Sequence, residues 1–248
     1  MSVTGAADGP PMYVWPSIGD SGTGMHCVIG ILAALMQRHH TGKGQQVEVS
    51  MQDAVLNLIR VSLRDHQRFG RTMPRNGNQL GSGVPGNTYR CAPGGPNDYI
   101  YVIVQPPGWA PIANLIGKPE LADDPDWATP AARLDKLDKM FALIEQWTEQ
   151  HTKFEVMDKL NALNVPCGPI MSTRELIEDE TLAELGAVVE VKHPQRGSFK
   201  TVGCPLKLSD SPVQVETSPG LGEHNSVVYG SLGIDTAELE ELKAAGVI

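Results

Sequence analysis

Apolar residues run almost all the way round the stretch from Ser21 to Arg38, where Val28, Ile29, Ile31, Leu32, Ala33, Ala34, Leu35 and Met36 leave no polar face. A helix of that kind is predicted to be buried rather than laid on a surface. His39, His40, Gly42, Lys43 and Gly44 follow it, placing cations and glycine where a helix C-terminus favours them. Gln46 to Met51 alternates polar and apolar, the period of a short strand. Gln52 to Phe69 returns to helical spacing, with Val55, Leu56, Leu58, Ile59 and Leu63 as its apolar positions.

The periodicity then stops. Residues 70–87 are rich in Gly, Pro and Asn and mark a boundary. Beyond it, Thr88 to Cys91 and Tyr99 to Val104 read as strands joined through Pro93 to Asp98. Helices are predicted near 109–117, 130–148 and 152–163, and Val165 to Ile170 is a rigid crossing. A helix at Thr173 to Glu178, strands at Ala187 to Val191 and Lys200 to Val202, and a helix at Thr236 to Ala245 complete the series. The chain thus divides into residues 1–70, a glycine-rich stretch at 71–87, then 88–165 and 166–248. The chain enters its apolar helix with nothing before it to cover that helix, so a covering segment upstream is expected.

Composition narrows the function. The 248 residues are 41% hydrophobic and carry a net charge of −9, the profile of a globular protein. That charge repels phosphate backbones and anionic headgroups, which argues against nucleic-acid and membrane partners. Cys27, Cys91, Cys167 and Cys204 are scattered, so neither a disulfide framework nor a metal site is expected, and free thiols in a reducing cytoplasm fit better. Met1 to Pro11 has no signal-peptide pattern, and the run from Val28 to Met36 is too short to span a bilayer.

The candidate chemistry sits at the helix entrance, in Ile18-Gly19-Asp20-Ser21-Gly22-Thr23-Gly24. A carboxylate there meets the positive end of the helix dipole and the free N–H groups of the first turn, which favour its ionised, nucleophilic form. The glycines leave room for a ligand to approach the backbone. The plainer reading makes Asp20 or Ser21 an N-cap. A serine-protease reading of Gly19-Asp20-Ser21-Gly22 fails, because no His precedes it. A dinucleotide fingerprint fails because Cys27 stands where a glycine is required. His26 reads as a satisfied core residue, and His39 and His40 as a solvated helix end. The four Trp (15, 109, 127, 147) read as packing residues, and Asp123-Asp124 as a surface turn.

Met1-Ser-Val-Thr-Gly5, Asp8-Gly-Pro-Pro11, Gly19-Asp20-x-x-x-Gly24, Gly30-Ile-Leu-Ala-Ala-Leu35, Thr41-Gly-Lys-Gly-Gln45, Val47-Glu-Val-Ser50 and Asp53-Ala54 stand in this order. Val165-Pro-Cys-Gly-Pro169, Thr201-Val-Gly203 and Leu221-Gly-Glu-His224 follow. The series resembles family III CoA-transferases over nearly the whole chain. The wording of Met51 to Leu58 and of Leu63-Arg64-Asp65 is most similar to the formyl-CoA:oxalate branch.

The resemblance implies Asp20 as the nucleophile, with Gly19 beside it touching coenzyme A. It implies Gly81, Ser82 and Gly83 as part of a glycine loop that closes over the intermediates. It further implies an acyl-CoA and a small carboxylic acid as substrates, with coenzyme A entering as substrate and no cofactor or metal held permanently. It implies an α/β fold in which 1–70 and 166–248 belong to a Rossmann-like large domain and 88–165 form a small α/β domain, together with an interlocked homodimer and an upstream Rossmann-like segment carrying most of the CoA contacts. The chain departs from the branch in offering Leu80-Gly81-Ser82-Gly83 for four consecutive glycines, and in a shorter stretch between Gly70 and Arg75. Two rivals stay open. One is a racemase of the α-methylacyl-CoA type, which shares this fold and uses an Asp at this motif for acid/base work. The other is an inactive remnant that acts only by pairing.

Overall fold

In a computed structural model, which describes residues 1–80, 83–104 and 108–248, Ser17 turns the chain into α1 (Ile18–Thr41), 24 residues long. Gly42 ends α1 in the left-handed conformation expected of it, at φ 68°, with its N–H on Arg38 O at 2.8 Å. The expected strand after it does not form a ladder. Residues 46–50 form neither helix nor strand, ending on an extended Ser50, and burial alternates as predicted, with Val47 and Val49 half-buried and Glu48 and Ser50 exposed. A strand needs a neighbour to satisfy its backbone, and none of the described residues pairs with this one.

The single helix expected over Gln52 to Phe69 is two, α2 (Met51–Leu58) and α3 (Arg60–Phe69), broken at Ile59. Ser50 caps α2 through a hydrogen bond accepted from Asp53 N. The entering loop is tied to the stretch after α3, because Gly77 N donates to Gly5 O (2.8 Å) and Arg75 Nη2 to Gly9 O (2.8 Å).

α1 differs most from its prediction, for it is not buried. Its covered stripe is Gly22, His26, Gly30 and Ala34, four residues apart. Met25, Ile29, Leu32 and Met36, at 57–65% exposure, face away from the rest of the described chain. Glycine explains the close side, since a Cβ on Gly22 would lie 2.8 Å from Leu58 Cδ1 and one on Gly30 2.8 Å from Val47 Cγ1. At full length the helix also meets the length and hydropathy criteria for crossing a bilayer, with a mean hydropathy of 1.3 in its most apolar window, which the shorter run did not. Core helices of soluble proteins share those two properties.

The well-packed part of the chain is built on a three-stranded antiparallel sheet in the order β1 (Asn87–Arg90), β2 (Tyr99–Val102), β3 (Cys167–Pro169). Tyr89 pairs with Ile100, which in turn pairs with Pro169. One face is covered by helices: α4 (Trp109–Leu115), α5 (Pro125–Ala128), α6 (Pro130–Arg133), α7 (Leu137–Thr148) and α8 (Lys153–Asn161). Apolar residues of α4, α5, α7 and α8 meet in one core that includes Ile100, Ile112, Trp127, Met140, Ile144, Val156 and Leu160. The predicted helix over 130–148 is interrupted by a tighter turn at Leu134–Lys136. Sheet and helices lie with α1–α3 in one compact unit, Met1–Ile170.

A second unit, Met171–Ile248, holds α9 (Thr173–Glu178), α10 (Glu180–Glu184), the hairpin β4 (Val188–His193) and β5 (Gly197–Val202), α11 (Asn225–Gly230) and α12 (Thr236–Ala244). Ser172 and Glu175 form a capping box at the start of α9, and Asp235 caps α12.

Candidate functional site

The residue that caps α1 is Ser17, in the left-handed region at φ 42°, and its side chain makes no capping bond. The first intrahelical bond runs from Ser21 N to Ser17 O (3.0 Å), which leaves the amides of Ile18, Gly19 and Asp20 as the open donors of the helix start. Asp20 stands in this first turn with its carboxylate exposed, and no hydrogen bond or ion pair holds it among the described residues. Neither Asp20 nor Ser21 is an N-cap, so the plainer reading of the motif finds no support in the geometry. A free carboxylate beside three open amides and the positive end of a 24-residue helix is what nucleophilic attack on a carbonyl calls for, with N–H groups near the oxyanion.

The rest of the motif has structural duties that its spacing concealed. Gly19 is half-buried against α2, where a Cβ would sit 3.9 Å from Val55, and its carbonyl accepts from the Thr23 hydroxyl. Gly22 is the close-approach glycine, and only Gly24 faces open space. His26 is bound at both nitrogens: Nδ1–H donates to Gly22 O (2.7 Å) and Nε2 accepts from Asn57 Nδ2 (2.8 Å). It fastens α1 to α2 one helical turn and a half beyond Asp20, as a satisfied residue rather than an acid or base.

Of the glycine loop, Gly81 and Ser82 lie outside the described residues, and Gly83 marks where the description resumes. Gly83 to Gly86 are all buried. The neck of the loop is closed by Leu80 N on Gly86 O (3.1 Å). Gly83 has φ +70°, and a Cβ there would run into Pro130 O, so no other residue fits. Tyr89 Oη donates to Pro85 O (3.2 Å). Arg133 donates through Nε to Gly83 O (2.9 Å) and through Nη1 to Trp127 O. No hydrogen bond or ion pair joins Gly83 to Asp20 among the described residues, so Gly19 and Asp20 form one cluster and the loop base another.

A sequence profile described as CoA-transferase family III matches residues 1–225. The chain belongs to this family. Formyl-CoA:oxalate CoA-transferases of Streptomyces coelicolor and Streptomyces avermitilis are each 60% identical to it, over 100% of this chain and 64% of theirs. The enzyme of that name from Rhodopseudomonas palustris strain HaA2 is 48% identical over 100% of this chain and 63% of its own. The chain thus spans less than two thirds of the length of these relatives. Among solved structures, a CAIB/BAIF family protein from Brucella suis superposes with a TM-score of 0.77 at 26% identity, over 94% of this chain and 60% of that one. A Mycobacterium tuberculosis protein gives 0.70 at 22%, a likeness of fold. The α/β family III fold expected from the sequence is therefore the fold of this chain.

Other residues of this family III chain find plain roles. Trp109 and Trp127 are buried and stacked, with centroids 5.6 Å apart, whereas Trp15 is 85% exposed and packs only edge-on against Tyr13. The expectation that all four Trp are packing residues fails at Trp15, which no described element covers. Asp124 caps α5 through Asp126 N and Asp123 is exposed, consistent with a turn. Cys91 is a buried thiol pushed up to about 11 by burial, and the other three cysteines are half-buried and free. Arg133 was missed by the sequence reading. The available signal was an arginine three residues after Pro130, inside an otherwise apolar and small-residue stretch.

Proposed function

We propose that the chain carries the nucleophile-bearing part of a CoA-transferase that moves CoA from an acyl-CoA to a small carboxylic acid, formyl-CoA and oxalate being the pair that its relatives' names suggest. The unengaged Asp20 carboxylate at the start of α1 carries this reading. Asp20 attacks the thioester carbonyl and the C–S bond breaks, giving an acyl-aspartyl anhydride and CoA thiolate. The thiolate attacks the Asp20 carbonyl, expelling the donor acid and leaving an Asp20–CoA thioester. The acceptor carboxylate displaces the thiolate from Asp20, and the thiolate then takes the acceptor acyl group, which returns Asp20 as a free carboxylate. Each tetrahedral oxyanion lies in reach of helix-start amides. Coenzyme A is a substrate here, and no permanent cofactor or metal is required. The glycine loop around Gly81, Ser82 and Gly83 shields these activated species from water.

The enzyme is proposed to work in the cytoplasm as an interlocked homodimer, together with the chain length its relatives possess in addition. The uncovered flank of α1 supports a missing cover. Acid-quenching a full-length protein containing this chain after mixing with formyl-CoA, then digesting it for mass spectrometry, tests the reading. The expected result is an acyl or CoA adduct on the Asp20 peptide that disappears in Asp20→Asn together with transfer. Exchange of the α-proton of a 2-methylacyl-CoA in D2O, without any adduct, would instead establish the racemase reading.

A further inference from the structure

We infer that Thr23 is a positioning residue for the transfer reaction, because its hydroxyl donates to the carbonyl of the same peptide unit whose N–H is the open Asp20 amide. The inference rests on the transferase reading and deepens it, by naming what sets the strength of an oxyanion donor at the helix start.

The Gly19 carbonyl and the Asp20 N–H are the two ends of one peptide unit. In the ladder of α1, Gly19 O accepts from Thr23 N–H, and the Thr23 hydroxyl gives it a second donor on its other lone pair. The next unit in the same row joins the Gly22 carbonyl to Thr23 N–H. It too is doubly served, by His26 N–H within the helix and by His26 Nδ1–H at 2.7 Å. The His26 ring is set in that tautomer from outside α1, since Asn57 Nδ2 of α2 donates to its Nε2 at 2.8 Å. Side-chain donors thus enter one row of peptide units at two successive carbonyls. The row ends on the Asp20 amide, which has no acceptor among the described residues.

Helix stability does not account for the Thr23 bond. A hydroxyl turned back on the carbonyl four residues earlier tends to weaken and bend a helix, and Gly19, Gly22 and Gly24 already weaken this one. Polarisation does account for it. A carbonyl that accepts a further hydrogen bond draws electron density from its own amide, whose N–H becomes a stronger donor, by about 10–30% per bond. An oxyanion donor is worth about 10²–10³ in rate, so a change of that size in its strength is about two- to eightfold. Thr23 is half-buried, with its hydroxyl on a main-chain oxygen, so it acts through the amide rather than on the substrate.

In a full-length protein containing this chain, Thr23→Val removes the hydroxyl and keeps the shape. The rate of Asp20 adduct formation in a single turnover at saturating formyl-CoA is expected to fall about threefold, with the half-saturating concentration unchanged. Thr23→Ser should restore the rate. Gly-Asp occurs once in this chain, so glycine labelled with 13C at the carbonyl and aspartate labelled with 15N report the Gly19–Asp20 unit by NMR. Its signal is the one lost in Asp20→Asn. The carbonyl signal should move upfield in Thr23→Val and stay near the parent position in Thr23→Ser. His26→Phe should move it less, acting one unit further along the row. Thr23→Ala takes the place of the Val variant if that does not fold. A shifted signal with an unchanged rate, a Ser variant as slow as the Val variant, or a loss that falls on half-saturation and not on rate would each overturn the inference. Absence of any adduct in the parent protein would instead refute the transferase reading, and the positioning role with it, while the signal still reports whether the hydroxyl reaches Gly19 O.

Discussion

Replacing Thr148 by Val removes one oxygen from a site that is otherwise filled by the same shape. Thr148 is the last residue of α7 and has no exposed surface. Its Oγ1 donates to Arg90 O at 2.7 Å, and the Glu145 carbonyl lies 3.1 Å away as a weaker alternative. The Arg90 bond fastens α7 to β1, whose Arg90 N in turn donates to Glu145 Oε1 at 3.1 Å. With Val the hydroxyl proton is lost, and the Arg90 carbonyl faces a methyl group at a buried position, a loss of about 1–3 kcal/mol. Thr148→Ser keeps the proton and removes a methyl, which costs about 1 kcal/mol. The Val variant should therefore be the less stable of the two, although it is the closer in volume. For a unit of this size the Val change corresponds to a fall in Tm of about 2–4 °C per kcal/mol. Urea denaturation followed by far-UV circular dichroism, with m held constant, gives the difference directly. A Val variant as stable as the parent, or more stable than the Ser variant, would show that this hydroxyl is not what joins α7 to the sheet.

Ile112→Ala, in the middle of the core, should destabilise by about 2–5 kcal/mol, while Leu221→Ala, fully exposed, should stay within about 0.5 kcal/mol in the same assay. The Glu155 carboxyl is held below the ordinary carboxylate range by the Thr152 backbone N–H and then by its hydroxyl. Its stabilising effect is thus fully present above the unfolded carboxylate pKa and is lost as pH falls through the lower folded value. Glu155→Gln should lower the denaturation midpoint at neutral pH and converge with the parent in acid, and a gap that widens in acid would contradict the assignment. Cys91 should be alkylated by iodoacetamide more slowly than Cys27, Cys167 or Cys204 in the native protein at pH 8, and lose that protection in urea, as mass spectrometry of the labelled peptides can follow.

The element series was largely legible because caps and turns are local events. Gly42 after α1, the strand pair around Asp98 and the closing helix at Thr236 lie within a few residues of their predicted limits. The short helices α10 and α11 left no periodicity long enough to detect. Two misreadings share one cause. Burial of α1 and pairing of residues 46–50 both depend on surfaces that the described chain does not supply, and no local pattern reveals whether a cover is at hand. At the candidate site the sequence singled out Asp20 from its glycines, yet it credited all of them with making room for ligand. Contact with Leu58 gives Gly22 to helix packing instead, and that contact is invisible until two helices are placed side by side. Arg133 escaped because a lone arginine looks the same in sequence whether it is solvated or enclosed.

The bare flank of α1 also sets how this polypeptide behaves in a tube. A strip of Met25, Ile29, Leu32 and Met36 attracts its like at short range, while a net charge of −9 keeps molecules apart at longer range. Added salt shortens that repulsion and leaves the attraction intact. Clustering should then quicken as ionic strength rises, the reverse of an assembly held by ion pairs, and dilute buffers of low conductivity are where the chain keeps best.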